Sequence, residues 1–402
     1  MKKKTNNMNK LQISLFSLII LISFNSCEAL ANIQQSQQSS STTTTTTTNN
    51  DRSKQIVLPS NVDRNKTTAQ LPAQSIDYEM LAYGERYRDN IFTDIQVSTE
   101  YYAKNVKDFE GNTKNLVVDI ISAKNDVEKN RPCIVYIYGG GFSMKIDDGM
   151  QEICKSMALK GYVVAAIDYR LGFYNSNLAT QCKGDFYEGF LLAELRATQD
   201  AIAAVKYLKA NASRLGINPD MIIIGGQSAG AITALDVAYY DNNETDAAFI
   251  NKVGGSLDAT TSQANINIKK NVAGVFSLSG AITNPTILNN PNNTPTFLVN
   301  GTCDEFIYAE SGAAYKCDAK ATTNIKYPTM YGPDYIYRTL KSNNNPTFYI
   351  EVCQSGHAMN NWGYQNVVDW VTSFTYAVIK NKFKTGNVTV FPDKTTCTLD
   401  CK

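Results

Sequence analysis

The sequence predicts a doubly wound α/β domain on a mostly parallel sheet, without a separate cap domain. Short apolar runs alternate with helix-length segments from the middle of the chain to its end, the pattern of successive βαβ units. Most of the runs are continuously apolar rather than alternating, as required of strands buried on both faces. No repeat of solenoid or propeller length interrupts the pattern.

In chain order, the strand-like runs are Leu116 to Ile121, Cys133 to Tyr138, Tyr162 to Ile167, Met221 to Ile224, Val272 to Leu278, Thr296 to Val299 and Thr347 to Val352. Helix-length segments lie at roughly Gly149–Lys160, Glu188–Ala210, Ala229–Tyr240 and Tyr364–Lys380. In the second of these, Leu191, Leu195, Ile202, Val205 and Leu208 fall on one helical face. The stretches 170–187, 241–270 and 306–345 read as longer connections of the kind that shapes ligand sites.

Bulk composition narrows the class of partner. The chain has 402 residues, 43% of them hydrophobic, enough for a large core. Lys+Arg 38 against Asp+Glu 37 leaves a formal charge of +1, which argues against nucleic acid as a partner.

The first residues read as a processing segment. Lys2, Lys3, Lys4 and Lys10 precede an apolar stretch from Leu11 to Phe24, and Ala29-Leu30-Ala31 follows as a cleavage pattern. The apolar run is short for a membrane span. Residues 1–31 are therefore expected to be a signal peptide and the product secreted. Phe24-Asn25-Ser26-Cys27 resembles a loose lipobox, and only lipidation of Cys27 would tie the product to a membrane. Residues 32–72, rich in Ser, Thr, Gln and Asn with threonines from Thr42 to Thr48, read as a disordered linker. The catalytic domain is assigned to 73–402, with regular structure beginning near Tyr78.

Of nine cysteines, eight remain once the leader is removed, an even number compatible with an oxidising compartment. Cys303 with Cys317 and Cys397 with Cys401 are candidate neighbours, while Cys133 in its apolar run reads equally as a buried free thiol. No cysteine pair has zinc-ligand spacing and the chain contains one histidine, so neither a metal nor another cofactor is expected. Six N-x-[ST] sequons, at Asn65, Asn211, Asn243, Asn292, Asn300 and Asn387, would permit glycosylation in a eukaryotic secretory pathway.

Gly226-Gln227-Ser228-Ala229-Gly230 is a G-x-S-x-G sequence between a strand-like run and a helix-length segment, the context that makes this motif specific. Its glycines permit a tight turn that lifts the Ser228 hydroxyl above the sheet. The following helix start supplies free N–H groups. Tyr138-Gly139-Gly140-Gly141-Phe142 directly follows an earlier strand-like run. The amides of Gly140, Gly141 and Ala229 are expected to form an oxyanion hole.

A serine hydroxyl needs an adjacent base. His357, the chain's single histidine, follows the strand-like run ending at Val352 and is the one side chain able to fill a histidine base role. Asp304, in Gly301-Thr302-Cys303-Asp304-Glu305, lies between serine and histidine in the chain and is assigned to orient the imidazole. Glu305 is its immediate rival, and Asp334, in a loop-like Gly-Pro-Asp turn, a weaker one.

The Tyr-Gly-Gly-Gly-Phe loop, Asp168-Tyr169-Arg170-Leu171-Gly172, the Gly-Gln-Ser-Ala-Gly elbow and Gly-Thr-x-Asp followed by Gly-His together resemble the carboxylesterase and hormone-sensitive-lipase-like esterases of the α/β-hydrolase superfamily. The resemblance covers residues 138 to 357. It implies a triad of Ser228, Asp304 and His357, an oxyanion hole from the glycine loop and Ala229, and small-molecule or polymer-linked esters with modest acyl groups as substrates. Two positions depart from the family pattern. Tyr138 replaces the usual histidine, removing a side-chain brace, and Gln227 stands where many relatives have an acidic residue. Asp168 and Arg170 are expected to be structural. A serine peptidase of the same fold and a non-catalytic adhesion protein on a hydrolase scaffold are the competing classes.

Overall fold

The computed structural model describes residues 84–176, 185–244, 247–289, 292–314 and 327–390. They lie within the compact unit Ser53–Lys402. The leader, the linker, Asn65, Cys317, Cys397, Cys401 and the expected start near Tyr78 fall outside the described residues.

Nine strands form one open sheet in the order β1-β2-β4-β3-β5-β6-β7-β10-β11. These are β1 (Ile95–Lys107), β2 (Thr113–Ala123), β3 (Arg131–Ile137), β4 (Val163–Ile167), β5 (Ile217–Gln227), β6 (Gly274–Leu278), β7 (Thr296–Gly301), β10 (Thr347–Val352) and β11 (Gly386–Val390). The two missing numbers, β8 (Ser311–Ala313) and β9 (Thr329–Tyr331), pair separately as an antiparallel ribbon. From β4 to β11 every neighbouring pair is parallel, whereas β1–β2 and β2–β4 are antiparallel.

Burial follows the residue pattern. All seven residues of β3 are buried, as are all five of β6, because helices cover both faces. β2 alternates buried with half-buried positions along its second half and starts exposed, the signature of an antiparallel strand near an edge.

Five longer helices complete the layers: α1 (Met150–Leu159), α2 (Tyr187–Ala210), α3 (Ala229–Tyr239), α4 (Pro333–Ser342) and α5 (Tyr364–Ile379). α3 packs against β5, β6 and α2, and ten of its eleven residues are buried, so its apolar composition all round is what its position demands. All seven expected strands and all four expected helices are present. α4 is an addition within the expected connection 306–345, and Asp334 sits in its first turn, ion-paired to Arg338, rather than in a loop.

Cys133 and Cys154 are buried free thiols, while Cys303 and Cys353 are disulfide-bonded. No helix among the described residues is long and apolar enough to cross a membrane. Asn300 is fully buried within β7, so that sequon is closed to glycosylation in the folded state, a correction imposed by the parallel sheet.

Candidate active site

Ser228 follows the last residue of β5 and precedes the first of α3, with φ 55° and ψ −122°. Such backbone strain in a non-glycine residue costs about 1–3 kcal/mol and persists only where its surroundings enforce it. Here they do. The Ser228 amide donates to the Leu278 carbonyl at the end of β6 at 2.8 Å. A Cβ at Gly226 or Gly230 would collide with the Ile137 carbonyl at the end of β3. The elbow motif is glycine-flanked because two strand ends and a helix start converge on one point.

The glycine loop lies directly alongside, and a Cβ at Gly139 would stand 3.2 Å from the Ser228 Cβ. Gly140, Gly141 and Phe142 all have positive φ, at 125°, 58° and 59°. Gly140 turns its carbonyl back to accept from the Ser143 and Met144 amides, at 3.0 and 3.1 Å. Among the described residues, none of the amides of Gly140, Gly141 and Ala229 donates to a protein acceptor. Three donors are thereby left available beside the serine, the condition an oxyanion hole requires.

Tyr138 heads this loop where the family pattern has histidine. Tyr138 is buried and stacks on Tyr169, with centroids 4.6 Å apart, and the Tyr169 hydroxyl donates to the Tyr138 carbonyl at 3.2 Å. An aromatic stack thus packs the head of the loop. Gln227 is buried, with its side chain packed toward Gly139.

His357 lies after β10, and its Nδ1 meets both Asp304 carboxylate oxygens, at 3.0 and 2.8 Å. Asp304 follows β7, is 2% exposed, and its Oδ1 also accepts from the Phe306 and Ile307 amides at 2.8 Å each. That carboxylate is fixed by backbone donors before it meets the ring. Glu305 points elsewhere: its Oε2 accepts from the backbone N–H of His357 at 3.1 Å. The buried Ser279 hydroxyl donates to the His357 carbonyl at 3.2 Å, and the Phe306 ring stands edge-on to the imidazole, with centroids 4.9 Å apart. Asp148, on the far side, accepts from the Met359 amide at 2.8 Å and ties the segment after the glycine loop to the histidine loop.

Ser228, Ala229, Gly140, Gly141 and His357 line one cavity of about 370 Å³. Its remaining wall is largely apolar, with Phe190, Ile232, Ile307 and Met330 prominent. Asp304 stands behind His357, outside the lining, as a buried orienting group does. Asp168 is engaged with Lys145 at 2.8 Å, and Arg170 is buried in an ion pair with Asp200 at 2.8 Å, so neither faces the serine. Among the described residues no group of three or more His, Cys, Asp or Glu side chains could hold a metal ion.

Sequence reasoning missed Glu305 as a backbone acceptor, Ser279, Asp148 and Phe306. Ser279 was reachable, since it directly follows a strand-like run at the sheet's carboxyl edge. The others depend on loop conformations that no periodicity encodes.

An open, mostly parallel sheet with a strained serine between a central strand and a helix, and a histidine–carboxylate pair following β10 and β7, defines an α/β-hydrolase fold. Residues 93–273 match the model of the Carboxylesterase family. It is 27% identical over 168 residues to Gut esterase 1 of Caenorhabditis elegans, covering 40% of this chain and 28% of that protein. Against the cAMP-regulated D2 protein of Dictyostelium discoideum it is 30% identical over 158 residues, covering 38% of this chain and 28% of that protein. The chain thus aligns with 28% of the length of these relatives. Among solved structures, Thermogutta terrifontis esterase 2 phosphorylated by paraoxon matches with a TM-score of 0.49 and 15% identity, over 71% of this chain and 95% of that one.

Proposed function

We propose that this protein hydrolyses carboxylic esters through an acyl-enzyme on Ser228. The observation that carries the reading is the Asp304-bound His357 ring lining the same cavity as the Ser228 hydroxyl. In the first step the Ser228 Oγ attacks the acyl carbonyl carbon as His357 Nε2 takes its proton. The carbonyl oxygen becomes an oxyanion held by the amides of Gly140, Gly141 and Ala229. His357 then returns the proton to the departing alcohol. In the second step water attacks the acyl-enzyme, with the same imidazole as base, and the acid leaves. Proton transfer needs a Ser228–His357 contact, of the kind that commonly closes only when substrate is bound.

The apolar walls of the cavity, and its volume of about 370 Å³, support esters with modest acyl groups. The name of Gut esterase 1 supports ester hydrolysis, without bearing on acyl length. The leader at residues 1–31 supports export, and Asn243 and Asn292, both exposed, are the sequons best placed to carry glycans there. Turnover of a p-nitrophenyl ester series from acetate to long acyl chains, on wild type and Ser228→Ala in parallel, tests the reading. Hydrolysis of the shorter members by wild type alone supports it. Equal rates for both proteins, or hydrolysis of peptide anilides instead, would overturn it.

A further inference from the structure

A groove of about 880 Å³, larger than the catalytic cavity and sharing no lining residue with it, runs between the second half of β1, α2 and the segment around residues 252–265. Two guanidinium groups, Arg170 and Arg196, stand in its wall, each 6% exposed. Arg170 is engaged through every nitrogen: Asp200 pairs with it at 2.8 Å, and the Lys107 carbonyl, Gln199 and Thr260 accept from its Nη groups.

Arg196 is not. Its Nη2 donates to the Gly172 carbonyl at 2.9 Å, and its Nε has no partner. Among the described residues no carboxylate lies within ion-pair distance of it. Asp108, the other acid of the groove, is paired with Lys114 at 3.6 Å, and Asp200 is committed to Arg170. Burial first, then repulsion from Arg170, pull the Arg196 guanidinium down to about 10 against the weaker attraction of Asp200 and Asp108, still cationic at neutral pH. A buried cation without a counter-ion is costly, and a cavity beside it is where a counter-ion can bind.

The outer wall has a second character. Tyr101 is 53% exposed and Phe109 38%, both on the groove, and Asn105 and Gln263 flank them. Partly exposed rings next to side-chain amides, with the Lys104 ammonium 5.2 Å from the Tyr101 ring centroid, suit a ligand with apolar C–H faces, many hydroxyls and negative charge, which is the chemistry of an acidic sugar.

We propose that this groove binds an acidic saccharide, its carboxylate paired with Arg196 and its sugar rings set against Tyr101 and Phe109. The proposal does not depend on the ester-hydrolase reading, because the two cavities have separate walls.

The test is calorimetric titration of the intact protein with tri-galacturonate, and with maltotriose and sodium acetate as the neutral-sugar and bare-anion counterparts. Tri-galacturonate is expected to bind at least about tenfold more tightly than either counterpart. Arg196→Gln should weaken it by at least about tenfold, the loss of one charge-assisted contact. Tyr101→Ala, at an exposed position, should weaken it several-fold while p-nitrophenyl ester turnover stays at the wild-type level, and it carries the test if Arg196→Gln does not fold. Absence of binding, equal binding of maltotriose or of acetate, or an affinity unmoved by Tyr101→Ala would overturn the proposal.

Discussion

Asp304 and Glu305 are chain neighbours that grip different parts of one residue: Asp304 takes the His357 imidazole at 2.8 Å and Glu305 takes the His357 backbone amide at 3.1 Å. The first contact sets the ring's tautomer and orientation, and the second sets where the loop that carries the ring stands. Asp304→Asn should therefore lower kcat by about 10⁴-fold without unfolding the protein, because the amide presents the wrong partner to Nδ1. Glu305→Gln retains an oxygen acceptor and should lose less than about tenfold, whereas Glu305→Ala should lower kcat at unchanged KM. Steady-state kinetics on a p-nitrophenyl ester decide this. A Glu305→Gln loss equal to that of Asp304→Asn would show that the two roles have been assigned the wrong way round.

The packing of the elbow gives a stability prediction. A Cβ at Gly230 meets the Ile137 carbonyl and adjoining backbone rather than a flexible side chain, so no rotamer change relieves the clash. Gly230→Ala should lower stability by about 1–3 kcal/mol and displace Ser228. A melting temperature and activity both equal to wild type would contradict the convergence of β3, β5 and α3 on this point.

A buried acidic pair on α2 and α3 predicts a pH dependence. Burial raises the carboxyl groups of Glu194, which Asp236 also repels, and of Asp236, the latter to about 7. The Thr283 hydroxyl donates to Glu194 at 2.8 Å and the Thr198 hydroxyl to Asp236 at 3.0 Å. Because the folded values lie above the unfolded ones, the native state holds more protons through the interval between them. The stabilising contribution is complete below about pH 4, where the unfolded carboxyls titrate, and declines as pH rises toward and past about 7. Asp236→Asn should flatten that decline. Thermal unfolding of both proteins at pH 5 and pH 8 checks the sign, and an identical drop in each would refute it.

Much of this was legible in the residues themselves. β3, β6 and β7 are buried on both faces, so their strand-like runs stand out. β1 did not, because it lies at the sheet's edge with most of its residues exposed and two register shifts, and its sequence Ile95–Lys107 has no apolar run to find. β11, five residues at the other edge, is short for the same kind of signal. Within the site, Ser228, His357 and the glycines announce themselves by rarity or motif. The clamp on the histidine loop does not, since Glu305, Ser279 and Asp148 act through backbone partners far along the chain.

The most direct test of the central claim is a fluorophosphonate probe applied to the purified protein, with the modified peptide identified by mass spectrometry. The account predicts a single adduct on Ser228, formed at least about 10³-fold more slowly in His357→Ala. Labelling of a different residue, or an adduct on Ser228 that forms equally fast without His357, would contradict it.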